Sequence, residues 1–491
     1  MPAAGPAFDR RLIPPMMLGA ILNPINSSII AVSLVPIGIA FGAPPAETTW
    51  LVSALYLTTA VGQPLFGKLV DNYGPRRLYL LGAAMVGIAG LMGVFAPSVG
   101  VLIAARVVLG FGTCAGYPAS MYLIRRENRR TGRDSPQLVL TLLAMCSQTI
   151  MAIGPTLGGL LMVIGGWRAT FAVNIPLAIA CLIVGGRWLP RDGIADPSDS
   201  TTGSPTPEPR RRVVIDTVGI VLFAITVVAL TIFLIDVRPD RWYLPLIAVL
   251  AGVGFAVREM RAAEPFIDLR VFAGNVPLLM TYLRSLLTAT VSYSLMYGFT
   301  QWLEDGRRLA PTAAGLALLP LSGTAIVVSA ITGRHKAVRA KLVIGSLAQL
   351  AACALMITAG GGTAYWMLFV ITGIAGITQG LVGLANQNAI YYQADPSRVA
   401  ASAGLMRTFV YLGSMVASAA QGAFFKPTAD TAAMHQLATF MIIFAALFLL
   451  LSLVDRSLSR ITDKTMPDRP GDKPLDDPDQ RSAETHTESR N

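Results

Sequence analysis

The chain has 491 residues, 53% of them hydrophobic and only 14% charged. Soluble domains carry about 25% charged residues, so a water-soluble core of this length is excluded and a bilayer is the fitting solvent. The net charge, 39 − 28 = +11, would suggest nucleic acid in a soluble protein, but here the basic residues fall in alternate loops between apolar runs, as membrane insertion requires.

Taken in chain order, the apolar runs predict helices near 13–40, 50–70, 78–97, 99–124, 137–163, 168–189, 214–236, 242–258, 276–303, 311–333, 341–360, 363–390, 398–424 and 434–455. Each is long enough to cross a hydrocarbon layer. The first run follows Arg10 and Arg11 and extends too far for a cleavable signal peptide. Arg76 and Arg77, "RRENRRTGR", "PRRR", then Arg258, Arg261 and Arg270, and finally "GRHKAVRAK" mark one set of loops. The opposite set holds "GAPPAE", "APSVG", "GGW" and "AGGGTAY", with Arg238, Arg241, Arg307 and Arg308 as exceptions. The rich set is expected on the cytoplasmic face, and an even number of spans then puts both termini there.

"RDGIADPSDSTTGSPTPEPRRR" reads as a polar linker. The expected organisation is a six-helix bundle over 1–190, a cytoplasmic linker over 191–213, two inserted membrane helices with a following loop over 214–275, and a second six-helix bundle over 276–456. A disordered cytoplasmic tail over 457–491 follows. A faint repeat links the halves. "GKLVDNYGPRR" and "GRHKAVRAK" each follow the second span of a six, and "GFGTCAGYPASMYLIRR" and "GIAGITQGLVGLANQNAIYY" are each a fourth span. Two six-helix halves around a central path are the plan of many secondary transporters.

Other chemistries lack a pattern. Cys114, Cys146, Cys181 and Cys353 sit in apolar runs without C-x-x-C spacing, and His335, His435 and His486 have no metal-ligand spacing. No phosphate-binding G-x-x-x-x-G-K-[ST] occurs. Neither a cofactor nor an enzyme is expected.

Several motifs carry more information. In "GKLVDNYGPRR", Asp71 ends a helix and Gly74 permits a tight turn. With Gly67, Arg76 and Arg77 they read as a latch on the basic side; the alternative is an arginine anchor for the loop. In "GPTLGG", Gly154 and Gly158 lie four apart on one helix face and admit a close neighbour, Gly159 adds a third small residue, and Pro155 permits a bend. Plain helix packing is the alternative. Arg106 lies several residues inside the fourth span. A charge there costs at least ~2.5 kcal/mol, so it faces the bundle or snorkels to an interface.

The chain resembles the major facilitator superfamily, and in particular its fourteen-span drug:proton antiporter branch. The resemblance rests on "GKLVDNYGPRR", "GPTLGG", "GWRATFAVNIP", "DTVGIVLF" and "APTAAGLALLP". It implies an all-α major facilitator fold with two extra central helices. It also implies export of small amphipathic compounds by alternating access with proton exchange, in a cell inner membrane, by a monomer surrounded by lipid. Export of one metabolite, or facilitated transport without protons, remains open on the same fold.

The resemblance also implies a role for Arg106 in proton transfer, although the glutamine usual before the glycine is Leu109 here. Asn26 stands where the branch often has an aspartate, and asparagine cannot carry a proton. By elimination, Glu304 and Asp305 become the candidate coupling acids; a solvated loop is the alternative. Asn26, Gln148, Arg284, Tyr293 and Tyr297 are the candidate cavity residues. The asparagine has a rival role in bonding between helices, and the tyrosines have one in packing.

Overall fold

A computed structural model describes residues 8–131, 137–190, 216–235, 239–262, 265–267, 269–272, 275–332, 337–394, 399–426, 428–455 and 457–458. The 191–213 linker and residues 459–491 of the tail lie outside them. The described chain runs back and forth as helices. The first span is Arg10–Phe41, the second Trp50–Tyr73, the third Pro75–Val94 and the fourth Val99–Ile124. The fifth belongs to Gln137–Ala172, which breaks at Gly165 and Gly166, and the sixth continues through Asn174–Trp188. Gly166 has φ 62°, a left-handed value that favours glycine and lets the chain reverse there.

The seventh span is Thr217–Ile235 and the eighth Tyr243–Arg261. The ninth begins as Val276–Tyr293, and the tenth is Pro311–Thr332. Val338–Thr358, Tyr365–Gln393, Val399–Phe424 and Thr431–Val454 are the eleventh to fourteenth. Among the described residues, nine helices are long and apolar enough by themselves to cross a membrane.

Packing shows an internal repeat. In the first half, the first span packs on the fifth, the third on the fourth and sixth, and the second on the fourth. In the second half, the ninth packs on the thirteenth, the eleventh on the twelfth and fourteenth, and the tenth on the twelfth. Every pairing recurs at an offset of eight spans. The result is two six-helix bundles with an inserted pair. The inserted helices pack on each other, and the seventh also touches the second and thirteenth. Leu246, Val249, Leu250 and Val253 on the eighth are exposed, as an outer helix facing acyl chains requires.

One end of the bundle carries Arg76, Arg130, Arg187, Arg258 and Arg339 and is called the basic end here. The opposite end carries Gly42, Gly166 and Arg307, together with Arg168, whose guanidinium lies 4.2 Å from the centre of the Trp167 ring.

Candidate functional site

The centre of the molecule is built around irregular backbone. Pro24 lies inside the first span and cannot donate to the Ala20 carbonyl. Ser147 Oγ of the fifth span donates to that carbonyl instead, at 3.2 Å. Six residues after Pro24, the helix tightens to a 3-10 turn over Ile30–Ser33. The carbonyls just before the turn accept side-chain donors from other spans. Arg106 Nη1 donates to Asn26 O at 3.0 Å, and Tyr297 Oη donates to Ser27 O at 2.6 Å.

Arg106 is 2% exposed, so it lies in the bundle and does not snorkel. Its Nε donates to Leu51 O at 2.8 Å, while Nη2 has no hydrogen-bond partner among the described residues. Asn26 is committed to helix contacts. Its Nδ2 donates to Leu22 O at 2.9 Å and to Asn174 Oδ1 at 2.7 Å. The expectation that Asn26 lines a substrate cavity is therefore corrected: it joins the first and sixth spans and is 4% exposed.

Tyr297 connects the halves. Its proton goes to Ser27 O, so Tyr56 Oη donates to Tyr297 Oη, at 2.8 Å. Tyr293 stacks on Tyr297 at 5.9 Å and meets the edge of Tyr56 at 5.1 Å, and Tyr411 stands 6.0 Å from Tyr56. Toward the basic side, Arg407 of the thirteenth span lies 3.5 Å over the Tyr117 ring of the fourth. Four tyrosines from both halves thus surround the axis beside a buried cation. Tyr293 and Tyr297 were expected; Tyr56 and Tyr411 were not, because nothing in a lone tyrosine within a span tells which face it presents.

Tyr297 owes its direction to the ninth span, whose helix widens into π turns at Ser294–Phe299 and Trp302–Gly306. Such bulges re-aim side chains and recur at functional sites. Glu304 lies in the second one. It is 6% exposed and neither carboxylate oxygen has a hydrogen-bond partner among the described residues. Asp305 differs: its Oδ2 accepts from Ala429 N at 2.9 Å, and it lines an opening at the opposite end with Gln301 and Pro44. The two adjacent acids thus occupy separate environments.

"GPTLGG" lies between the halves. A Cβ on Gly154 would collide with Ser28, and one on Gly158 would stand 2.7 Å from Ile29 O, so both glycines sit on the first span. A Cβ on Gly159 would lie 3.1 Å from Pro311 O of the tenth span. The contact is reciprocal, because Gly315 lies against Pro155 O and Thr156 Oγ1 donates to Gly315 O at 3.1 Å. Nearby, Ser53 and Ser418 bond at 2.8 Å and Ser418 Oγ donates to Thr49 O. These contacts seal the opposite end.

One further expectation changes. Arg284 does not face a cavity. It is fully buried in the second half, 2.7 Å from Asp455 Oδ2 and bonded to Thr281 Oγ1. Burial drives this pairing, since an unpaired charge there is costly. In "GKLVDNYGPRR", Gly74 ends the helix with φ 92°, whereas the space beside Gly67 is open. Arg76 donates to Gly186 O at 2.6 Å and Leu189 O at 3.3 Å, at the C-terminus of the sixth span, where a cation suits the helix dipole. Asp71 and Arg77 are exposed. Gln148 lies on the fifth span, and its side chain falls outside the described residues.

The arrangement has relatives. The major facilitator superfamily model matches residues 16–418. The transporter YwoD of Bacillus subtilis (strain 168) is 31% identical over 88% of this chain and 94% of its own length. The methylenomycin A resistance protein of Streptomyces coelicolor is 26% identical over 87% of this chain and 89% of its own. The tetracenomycin C resistance and export protein of Streptomyces glaucescens is 28% identical over 82% and 74%. Among solved structures, a peptide transporter in complex with sulfate superposes with a TM-score of 0.64 at 12% identity, covering 92% of this chain and 95% of that one. With its two packed six-helix bundles and a family match along most of its length, the chain belongs to the major facilitator superfamily of transporters.

Proposed function

We propose that the protein exports small amphipathic compounds by alternating access, exchanging them for protons across a cell inner membrane. The basic end is the cytoplasmic one in this reading, because arginine-rich loops stay inside. The observation that carries it is the half-to-half contact at "GPTLGG": Gly159 lies on the Pro311–Thr312 backbone and Gly315 on the Pro155–Thr156 backbone, so glycines on both sides meet the facing main chain without bulky side chains of their own. Such a surface separates and re-forms as one bundle rocks on the other. Resistance and export relatives supply the substrate class.

Coupling is assigned to Glu304. A buried acid without a partner is costly when charged, so its environment favours binding a proton while this end is closed. Opening that end hydrates the group, which takes its proton from outside as substrate leaves; after the end closes, substrate entering from the basic end displaces that proton toward the basic end.

The test is accumulation of methylenomycin A or tetracenomycin C in proteoliposomes under an imposed pH gradient. Uptake that follows the gradient and collapses with a protonophore supports exchange. The Glu304→Gln variant is expected to lose gradient-driven accumulation while keeping downhill flux. Wild-type accumulation in that variant refutes the assignment, and no gradient dependence in the wild type refutes proton exchange.

A further inference from the structure

The inserted pair of helices looks peripheral in the sequence, yet it buries two acids against the signature loop of the first half. Asp216 precedes the seventh span and is 5% exposed. Its Oδ1 accepts from Gly219 N at 2.9 Å, and Arg258 of the eighth span pairs with Oδ2 at 3.2 Å. Glu259, the next residue, is 0% exposed. Its Oε2 accepts from Ile267 N at 2.9 Å, while Oε1 has no hydrogen-bond partner among the described residues.

Gly219 makes the room. A Cβ there would stand 2.3 Å from Glu259 Oε1 and 3.1 Å from the Asp216 carboxyl. The D-x-x-G of "DTVGIVLF" is therefore the seat of a carboxyl from the neighbouring helix. Lys68 of "GKLVDNYGPRR" completes the cluster. Its Nζ donates to Pro265 O at 2.9 Å and is within electrostatic reach of both acids. Phe266, between the two backbone groups that bind Lys68 and Glu259, packs on Phe223 at 5.9 Å.

We propose that Lys68, Asp216 and Glu259 form a proton-sensitive clip by which the inserted helices hold the second span, with Glu259 as the residue that takes the proton. The clip deepens the alternating-access reading and rests on it.

Among the described residues, the charged groups around Glu259 are Lys68 from the second span, Asp216 ahead of the seventh and Arg258 on its own helix. Arg261 is exposed, and Arg270 turns to Met260 O and Ala262 O. Two cations and two carboxylates balance. Burial opposes the charge on Asp216, but the Gly219 amide and the Arg258 guanidinium outweigh it and hold that carboxyl below the usual range. Asp216 therefore stays ionised, and Glu259, with one bare oxygen, is the acid that titrates. A proton taken from solvent at the basic end neutralises Glu259 and leaves the cluster one charge positive. Lys68 is then held less firmly, and the second span is released from the inserted pair. Lower pH shifts the molecule away from the conformation seen here.

The test is a distance measurement on the full chain in lipid nanodiscs. Spin labels at Trp188 and Ile331, exposed sites near the basic end of each half, are read by pulsed electron resonance between pH 5.5 and 8.0, with the four native cysteines replaced. The wild type is expected to change its distance distribution with pH. Glu259→Gln, which keeps an acceptor for Ile267 N, is expected to show the low-pH distribution throughout. Gly219→Ala, which displaces the carboxyl, and Lys68→Met are expected to do the same. A Glu259→Gln variant with the wild-type pH response overturns the clip, as does a wild type without a response. A wild type that responds to pH through Glu259 but moves no protons with substrate removes the antiporter reading and leaves the clip standing.

Discussion

Tyr297 shows how one side chain joins the halves. It donates to Ser27 O in the first span and accepts from Tyr56 in the second. Hydrogen bonds between membrane helices average about 0.6 kcal/mol and reach about 1.7, so the pair is a light tether suited to repeated opening. Tyr297→Phe removes both bonds while keeping the ring stack with Tyr293. It is expected to lower thermal stability by roughly 1 kcal/mol and to alter transport rate more than protein abundance. Unfolding in detergent and flux in proteoliposomes check the two parts, and unchanged flux would reduce Tyr297 to packing. Arg284 carries the opposite lesson. A lone arginine in a span reads as functional, and only the fold reveals Asp455, 171 residues away in sequence, as its partner.

At the scale of elements, the fifth span is the most constrained. Gly154 and Gly158 press on the first span while Gly159 meets the tenth, so one helix touches both halves through adjacent residues. Gly158→Leu places a branched side chain where even a Cβ would be 2.7 Å from Ile29 O. Overpacking of this kind costs roughly 1–3 kcal/mol, and here it wedges the fifth span off the first within one bundle and displaces the adjacent Gly159 from the tenth. Transport is expected to fall at least tenfold with the variant still inserted. Wild-type flux would mean that the first and fifth spans move freely apart. The motif was legible in the sequence as a close-packing helix; the identity of its neighbours was not, because glycine admits any partner.

For the whole molecule, the offset-of-eight repeat explains how a chain that inserts span by span encloses a central axis: each half repeats one packing pattern, and the inserted pair lies outside both. The arginine distribution sets its direction across the bilayer. A cysteine introduced at Ser198 is expected to resist an impermeant thiol reagent in intact cells and to react after permeabilisation. Labelling before permeabilisation would invert the topology.

The sequence alone determined the membrane class, the span pattern, the two halves and the family, because apolar length, arginine placement and glycine motifs are local properties that a bilayer reads directly. Tertiary structure decided the partners. Asn26 bonds Asn174, Arg106 caps a carbonyl just before a 3-10 turn and another on the second span, Arg76 serves the sixth span, and one π turn holds Glu304 without a partner while Asp305 accepts from Ala429 N. Glu259 gave no signal at all: a glutamate beside two arginines at a helix end looks solvated. It is buried because a glycine forty residues earlier leaves room for its carboxyl. Long-range packing makes that space, and no local pattern records it.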